Sequence, residues 1–227
     1  MAPPIPSGID TAYTATIPPV PTPTYGPGGT FTIACSSRIN ASPETCLGVV
    51  LDASNCTSFF PFHPAWNKFC RKCTIDAQPH PPSSSPSSSP SKDTTHLRFG
   101  TQFTFDVHLN PDAPQDGRSG RPTALEVSLL GPVPPYEGEE APRKGVRVAW
   151  KPRSSFLMPE WMLRSERVQD FLEMDGGKAT EYFCFETFYG VLAPVVKLAV
   201  GSGVEKGFRA WMEGLEGRAE EIAPSSS

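Results

Sequence analysis

"RSERVQDFLEMDGGKATEYFCFETFYGVLAPVV", Arg164 to Val196, is the stretch whose reading decides the fold. Two runs rich in β-formers flank Asp175-Gly176-Gly177, residues that favour a tight reversal, so the stretch predicts a β-hairpin. In the second run Tyr182, Cys184 and Glu186 share one face, and Phe183, Phe185 and Thr187 share the other. Both sets are candidates for the buried face. Either the phenylalanines point inward with Glu186 at the surface, or Glu186 is buried opposite Arg167 or Arg164 as a cross-strand ion pair. Pro194 then opens a long helix in which Val204, Phe208, Trp211, Met212, Leu215, Ala219 and Ile222 recur at helical spacing. The opposite face carries Glu205, Lys206, Arg209, Glu213, Glu216, Glu220 and Glu221. Glycines 201, 203, 207, 214 and 217 exceed what a free helix favours and predict close packing, or a kink, against a sheet.

Upstream, further alternating runs predict strands: Gly29 to Ile39, His96 to Leu109, Ala124 to Leu130 and Gly145 to Trp150. In the clearest run Leu97, Phe99, Phe103, Phe105, Val107 and Leu109 share a face. "SPETCLGVVLD" predicts a short helix, with Ser42 as N-cap, Pro43 at the first helical position and Glu44 near the positive end of the dipole. A second short helix or turn is expected over Asn55 to Phe60. A half-buried sheet needs cover, and the terminal helix is the only adequate one. The expected fold class is therefore α+β: a curved antiparallel sheet of about seven strands gripping a long C-terminal helix.

Residues 1–28 are rich in proline and threonine and poor in large apolar groups, so a flexible leader is expected. The domain is placed at residues 29–223, with residues 224–227 as a tail. "QPHPPSSSPSSSPSKD", Gln78 to Asp93, reads as an expanded loop within it, and Asn110 to Pro122 and Gly131 to Pro142 read as hairpin loops.

Composition narrows the function. The 227 residues carry a net charge of −4 and no basic run longer than a pair such as Arg71-Lys72, which argues against a nucleic-acid surface. The N-terminal stretch lacks the basic start and apolar core of a secretory signal, so a cytoplasmic location with reduced thiols is expected. The longest apolar run, Val191 to Val200, is interrupted and too short to span a bilayer. A P-loop, a dinucleotide-binding glycine fingerprint and a nucleophile elbow are all missing.

Element order and two phrases together resemble the START-like superfamily, the helix-grip fold of Bet v 1 allergens, lipid-transfer START domains and polyketide cyclases. "LDASNCTSFFPFHPAWNKFCR" is similar to its segment leading through a tryptophan-asparagine pair into the second strand. The opening stretch is similar to its final hairpin, with Glu-x-x-x-Gly and the Leu-Ala-Pro that starts the last helix. The likeness covers residues 29–223 and departs from the family in the Pro-Ser insert, the long leader and Lys68. It implies a deep, mostly apolar cavity between sheet and helix, holding a lipid, sterol, quinone or polyketide-like ligand. It does not imply catalysis.

"WNKFCRKC" carries a C-x-x-C at Cys70 and Cys73. On a strand, residues three apart point to opposite faces, which disfavours a shared metal. A redox pair would sit at a helix start. Structural thiols are the reading, with no metal and no cofactor expected.

The candidate catalytic groups are Glu186, Arg167 and His63, the last in a turn near the cavity mouth that START-like folds have. A buried carboxylate held by arginine orients a ligand carbonyl or moves a proton. The candidate ligand-binding residues are Trp66, Phe69, Phe99, Phe103, Phe105, Trp150, Phe156, Trp161, Tyr182, Tyr189, Phe208 and Met212. A solid aromatic core is the alternative for most of them. "SSFLMPEWML", Ser154 to Leu163, reads as a lid, a mouth or a membrane-touching tip. The expected function is binding of a hydrophobic small molecule, polyketide- or terpenoid-like, with cofactor-free cyclisation, dehydration or isomerisation as the chemistry. The alternative is a non-catalytic lipid, sterol or quinone carrier.

Overall fold

A computed structural model of the chain describes residues 12–56, 66–79, 95–114, 120–136, 143–156 and 158–224. The strands are β1 (Tyr13–Ile17), β2 (Phe31–Ile39), β3 (Cys70–Ala77), β4 (Gln102–Val107), β5 (Arg121–Pro132), β6 (Gly145–Pro152), β7 (Arg164–Met174) and β8 (Ala179–Tyr189). Helix α1 (Pro43–Leu51) and a short 3₁₀ turn (Ala53–Cys56) follow β2, and α2 (Ala193–Ile222) closes the chain. The strands form one antiparallel sheet in the order β1-β2-β8-β7-β6-β5-β4-β3. α2 packs along the sheet, an α+β arrangement of helix-grip type.

Local chemistry explains the key elements. The β7–β8 hairpin reverses through Asp175, Gly176 and Gly177, all at positive φ, and the two glycines take this conformation without a Cβ clash. Its register puts Arg167 opposite Glu186 and Arg164 opposite Tyr189. Ser42 caps α1 by accepting from the Thr45 amide at 3.2 Å. Cys46, Val49 and Val50 of α1 are buried.

Three expectations are corrected. The leader is not flexible throughout: Tyr13–Ile17 adds an edge strand to β2, and Val20 packs with Ala34, Ala149, Val168, Phe183 and Phe185. Those side chains lie on the sheet face away from α2 and require cover of their own, which this segment supplies. Thr24 ties it down, giving its amide and hydroxyl to the Glu166 carboxylate at 2.8 and 2.7 Å. Proline-rich composition masked the strand. Next, the run from His96 to Leu109 is a strand only from Gln102, because Gly100 turns the chain at φ 79°. Phe99 therefore lies in a turn, 62% exposed. Finally, Cys70 and Cys73 do not point to opposite faces. A register shift lies between their pairings with Val107 and Phe105, and both thiols enter the core. Asn67 prepares the bulged start, its Oδ1 accepting from the Phe69 and Cys70 amides at 3.0 and 2.7 Å.

Strand β5 also extends beyond the expected run, taking in Arg121, Pro122, Gly131 and Pro132 from segments read as loops. The Pro-Ser stretch over 80–94 and residues 57–65, which include His63, lie outside the described residues.

Gly203, Gly207 and Gly214 of α2 set close packing, whereas Gly201 and Gly217 do not. A Cβ at Gly207 would lie 2.3 Å from the Phe69 ring, and one at Gly214 would lie 2.1 Å from the Trp66 carbonyl oxygen. Gly217 has open space. Helix propensity favours alanine by about 1 kcal/mol at either site, but at Gly214 the clash is with backbone and overpacking costs about 1–3 kcal/mol. Gly217→Ala is therefore expected to raise stability in chemical denaturation and Gly214→Ala to lower it, although both make the same chemical change.

Candidate functional site

The space between sheet and α2 is half filled. Around the second half of the helix, Trp211 meets Trp66, Phe105 and Trp150 edge-on, with ring centroids 5.1, 5.9 and 5.8 Å away. Phe103 meets Phe105 and Trp150 in the same way at 5.0 and 5.9 Å. This half is close-packed core. Beneath the first turns of α2 the interior opens into a cavity of about 570 Å³. Val107 and Leu109, Leu125, Phe188, Leu192, Val196 and Val204 supply apolar wall. Phe105 and Trp150 line the cavity while belonging to the aromatic cluster, so they form the partition.

Arg121, Arg153, Glu160, Arg164, Arg167 and Glu186 are the charged residues along the cavity, and the last two pair across the β7–β8 hairpin. Arg167 is 4% exposed and Glu186 faces it across the hairpin. They do not close on each other as an ion pair. Glu186 accepts from the Ser165 hydroxyl at 2.7 Å, and Arg167 gives Nε–H to Cys184 Sγ at 3.3 Å. The guanidinium carbon lies 3.9 Å from the Phe208 ring centroid, 4.8 Å from Trp211 and 5.7 Å from Phe69. Arg167 Nη2 is buried with no hydrogen-bond partner. Burial pushes the Glu186 carboxyl above the usual carboxylate range, and the Arg167 charge and Ser165 hydroxyl only partly oppose it. Glu186 keeps some accessible surface despite its depth, and as a lining residue it turns that surface to the cavity.

The thiols around this pair divide. Burial pushes Cys70 and Cys73 up, the latter to about 12, so both stay protonated. Cys184 is buried too, but hydrogen bonding with Cys35 and the Arg167 charge outweigh that burial and lower it.

The mouth carries exposed apolar groups. Ser154, Ser155, Met158 and Glu160 line the opening, and beside them Phe156 is 100% exposed and Trp161 63%. The Val191 amide reaches the Trp161 carbonyl at 3.4 Å, joining this loop to the start of α2. Val195 and Leu198, the latter 91% exposed, continue the patch along the helix.

Of the expected site residues, the structure gathers Glu186, Arg167, Phe69, Phe105 and Trp150 around the cavity. Trp66, Phe103, Tyr182, Phe208 and Met212 instead pack in the core. The Tyr182 hydroxyl is committed to Gln169 at 2.7 Å. Tyr189 lies on the other sheet face, its hydroxyl 3.0 Å from that of Thr22 and donating to the Gly26 carbonyl at 2.8 Å. Phe99, Phe156 and Trp161 are exposed and outside the cavity wall. Ser165, Val196, Leu192 and Tyr25 were not anticipated. Ser165 shares a face with Arg167 by strand alternation, and Val196 extends the helical stripe back from Val204. Both were therefore readable. Tyr25 lay in the supposed leader and gave no signal.

No family model matches the chain, and no curated protein is similar to it in sequence. Solved structures share its fold. A hypothetical protein of Helicobacter pylori superposes with a TM-score of 0.52 at 16% identity, covering 95% of this chain and 91% of that one. A protein of Thermus thermophilus superposes at 0.50 and 12% identity, over 85% of this chain and 99% of its own. CalU16 of Micromonospora echinospora aligns more loosely, at 0.40 and 14% identity over 93% and 95%. At such identities the likeness is one of fold. Among the described residues no helix is long and apolar enough to cross a membrane.

The Glu186 environment predicts a pH effect. A carboxyl raised in the folded state destabilises the fold progressively as pH rises above its unfolded value, near 4.5. Glu186→Gln mimics the protonated form and is expected to melt higher than wild type at neutral pH. The difference should close as the pH is lowered towards 4.5.

Proposed function

We propose that the protein binds a hydrophobic small molecule, polyketide- or terpenoid-like, in the cavity under the first turns of α2, as its resemblance to the START-like superfamily suggests. The observation that carries this reading is the cavity: about 570 Å³ of largely apolar space in which Arg167 and Glu186 face each other across the β7–β8 hairpin. That volume suits a small organic ligand, and a few convergent polar groups amid apolar walls are what fixes such a ligand's orientation. In this reading Arg167 and Glu186 also do the chemistry. Arg167 stabilises negative charge developing on a ligand oxygen, and Glu186, its carboxyl raised by burial, donates and recovers the proton. Cyclisation, dehydration and isomerisation all proceed by such proton shifts without a cofactor.

A second reading keeps the ligand and drops the reaction, giving a carrier for a lipid, sterol or quinone. The exposed apolar rim of Phe156, Trp161, Val195 and Leu198 favours it, since a carrier must collect its cargo. We assign that rim to brief contact with a bilayer surface. Wild type is expected to co-sediment weakly with phosphatidylcholine vesicles, and the double change Trp161→Ser and Leu198→Ser to abolish this without altering the melting temperature.

Native mass spectrometry of protein purified from its producing cells tests binding first. A stoichiometric apolar adduct is expected. Conversion of that molecule's precursor by wild type but not by Glu186→Gln supports an enzyme, and equal binding without conversion supports a carrier. An empty protein that also fails to take up a neutral apolar dye would overturn both.

A further inference from the structure

The unpaired side of Arg167 points to a ligand class. We propose that the cavity is built for an apolar molecule bearing one acidic oxygen, a carboxylate or an acidic enol, which seats on the Arg167 guanidinium. This rests on the cavity being a binding site and adds what its occupant must carry.

The reasoning is one of charge. A guanidinium is permanently protonated, and stripping it of water costs several kcal/mol unless partners compensate. Its partners here are incomplete. Nε is engaged by Cys184, and the rings of Phe208, Trp211 and Phe69 give cation–π attraction, worth about 2 kcal/mol for a desolvated cation. Nη2 has nothing. Glu186, the carboxylate directly opposite, is held by Ser165 rather than by the guanidinium.

Of the other arginines at the cavity, Arg121 is solvent-exposed, and Arg153 and Arg164 are engaged elsewhere. Arg153 bonds Asp76 at 2.6 Å and Arg164 bonds the Glu160 carbonyl at 3.0 Å, both towards the mouth. Arg153 Nε is unpaired as well, but Arg167 is the one whose free donor belongs to a guanidinium set against the Phe208 and Trp211 rings. An anionic oxygen there gains a charge-assisted hydrogen bond in a site shielded from water. A neutral hydroxyl or ester draws less from the same donors.

Titration calorimetry at neutral pH with dodecanoate, dodecanol and methyl dodecanoate tests this on the full chain. Wild type is expected to bind dodecanoate at least about tenfold more tightly than either neutral probe, the difference between a charged and a neutral hydrogen bond. Arg167→Met should erase that preference while dodecanol binding persists, and Arg167→Lys should keep part of it. If Arg167→Met does not fold, the wild-type ratio decides alone. Equal affinity for acid and alcohol in wild type would overturn the head-group inference and leave the cavity reading standing. Failure of all three probes would overturn both.

Discussion

The close seat of α2 on the segment around Trp66 and Phe69 is the constraint on which the interior depends. Gly207 and Gly214 let the helix backbone come against the Phe69 ring and the Trp66 carbonyl, and no other residue would fit at those two points without displacement. Trp211, one turn from each glycine, is thereby driven into the sheet among Trp66, Phe105 and Trp150. The helix is anchored through its second half by this packing. Its first turns, where Leu192, Val196 and Val204 look towards the sheet, cover space that no aromatic fills. A packed core and a cavity thus arise from one helix, and the position of its glycines and large rings decides which half is which.

Arg167 stands where the two halves meet. It touches the rings of the packed half and lines the open one. The hairpin places it, since pairing Arg167 with Glu186 follows directly from the reversal at Asp175 to Gly177. A one-residue slip would send both groups to the other face and bring Phe185 and Val168 inward. That face is already occupied. Val20 packs on Phe183 and Phe185, and Thr24 and Ser128 bond the Glu166 carboxylate there. The proline-rich N-terminal segment therefore supports the register that puts charge in the cavity, although it covers the opposite side of the sheet.

Much of this was legible in the sequence. The hairpin, the capped α1 and the stripe of α2 each rest on local signals: turn residues, a Ser-Pro start and helical spacing. The facing of Arg167 and Glu186 was one of two alternatives, because alternation gives two faces without naming the inner one. What chose between them was long-range packing of β1 and its following segment, whose threonine- and proline-rich sequence carries little hydrophobic signal. The bulge at Cys70 to Cys73 was hidden for a related reason. It depends on how Asn67 holds two amides and on pairing with β4, neither of which spacing alone reveals. The aromatics were correctly gathered as interior groups, yet their division between core and cavity wall depends on where the helix is held closest.

The central claim is that the interior under the first turns of α2 is open. Val204 is buried on α2 and lines that space, so Val204→Phe measures it most directly. If the space is open, the added ring fills it: the variant should unfold at a denaturant concentration equal to or above that of wild type, and should lose binding of a neutral apolar dye. If the space is already packed, the ring overfills it, and stability should instead fall by about 1–3 kcal/mol. That result would contradict the account.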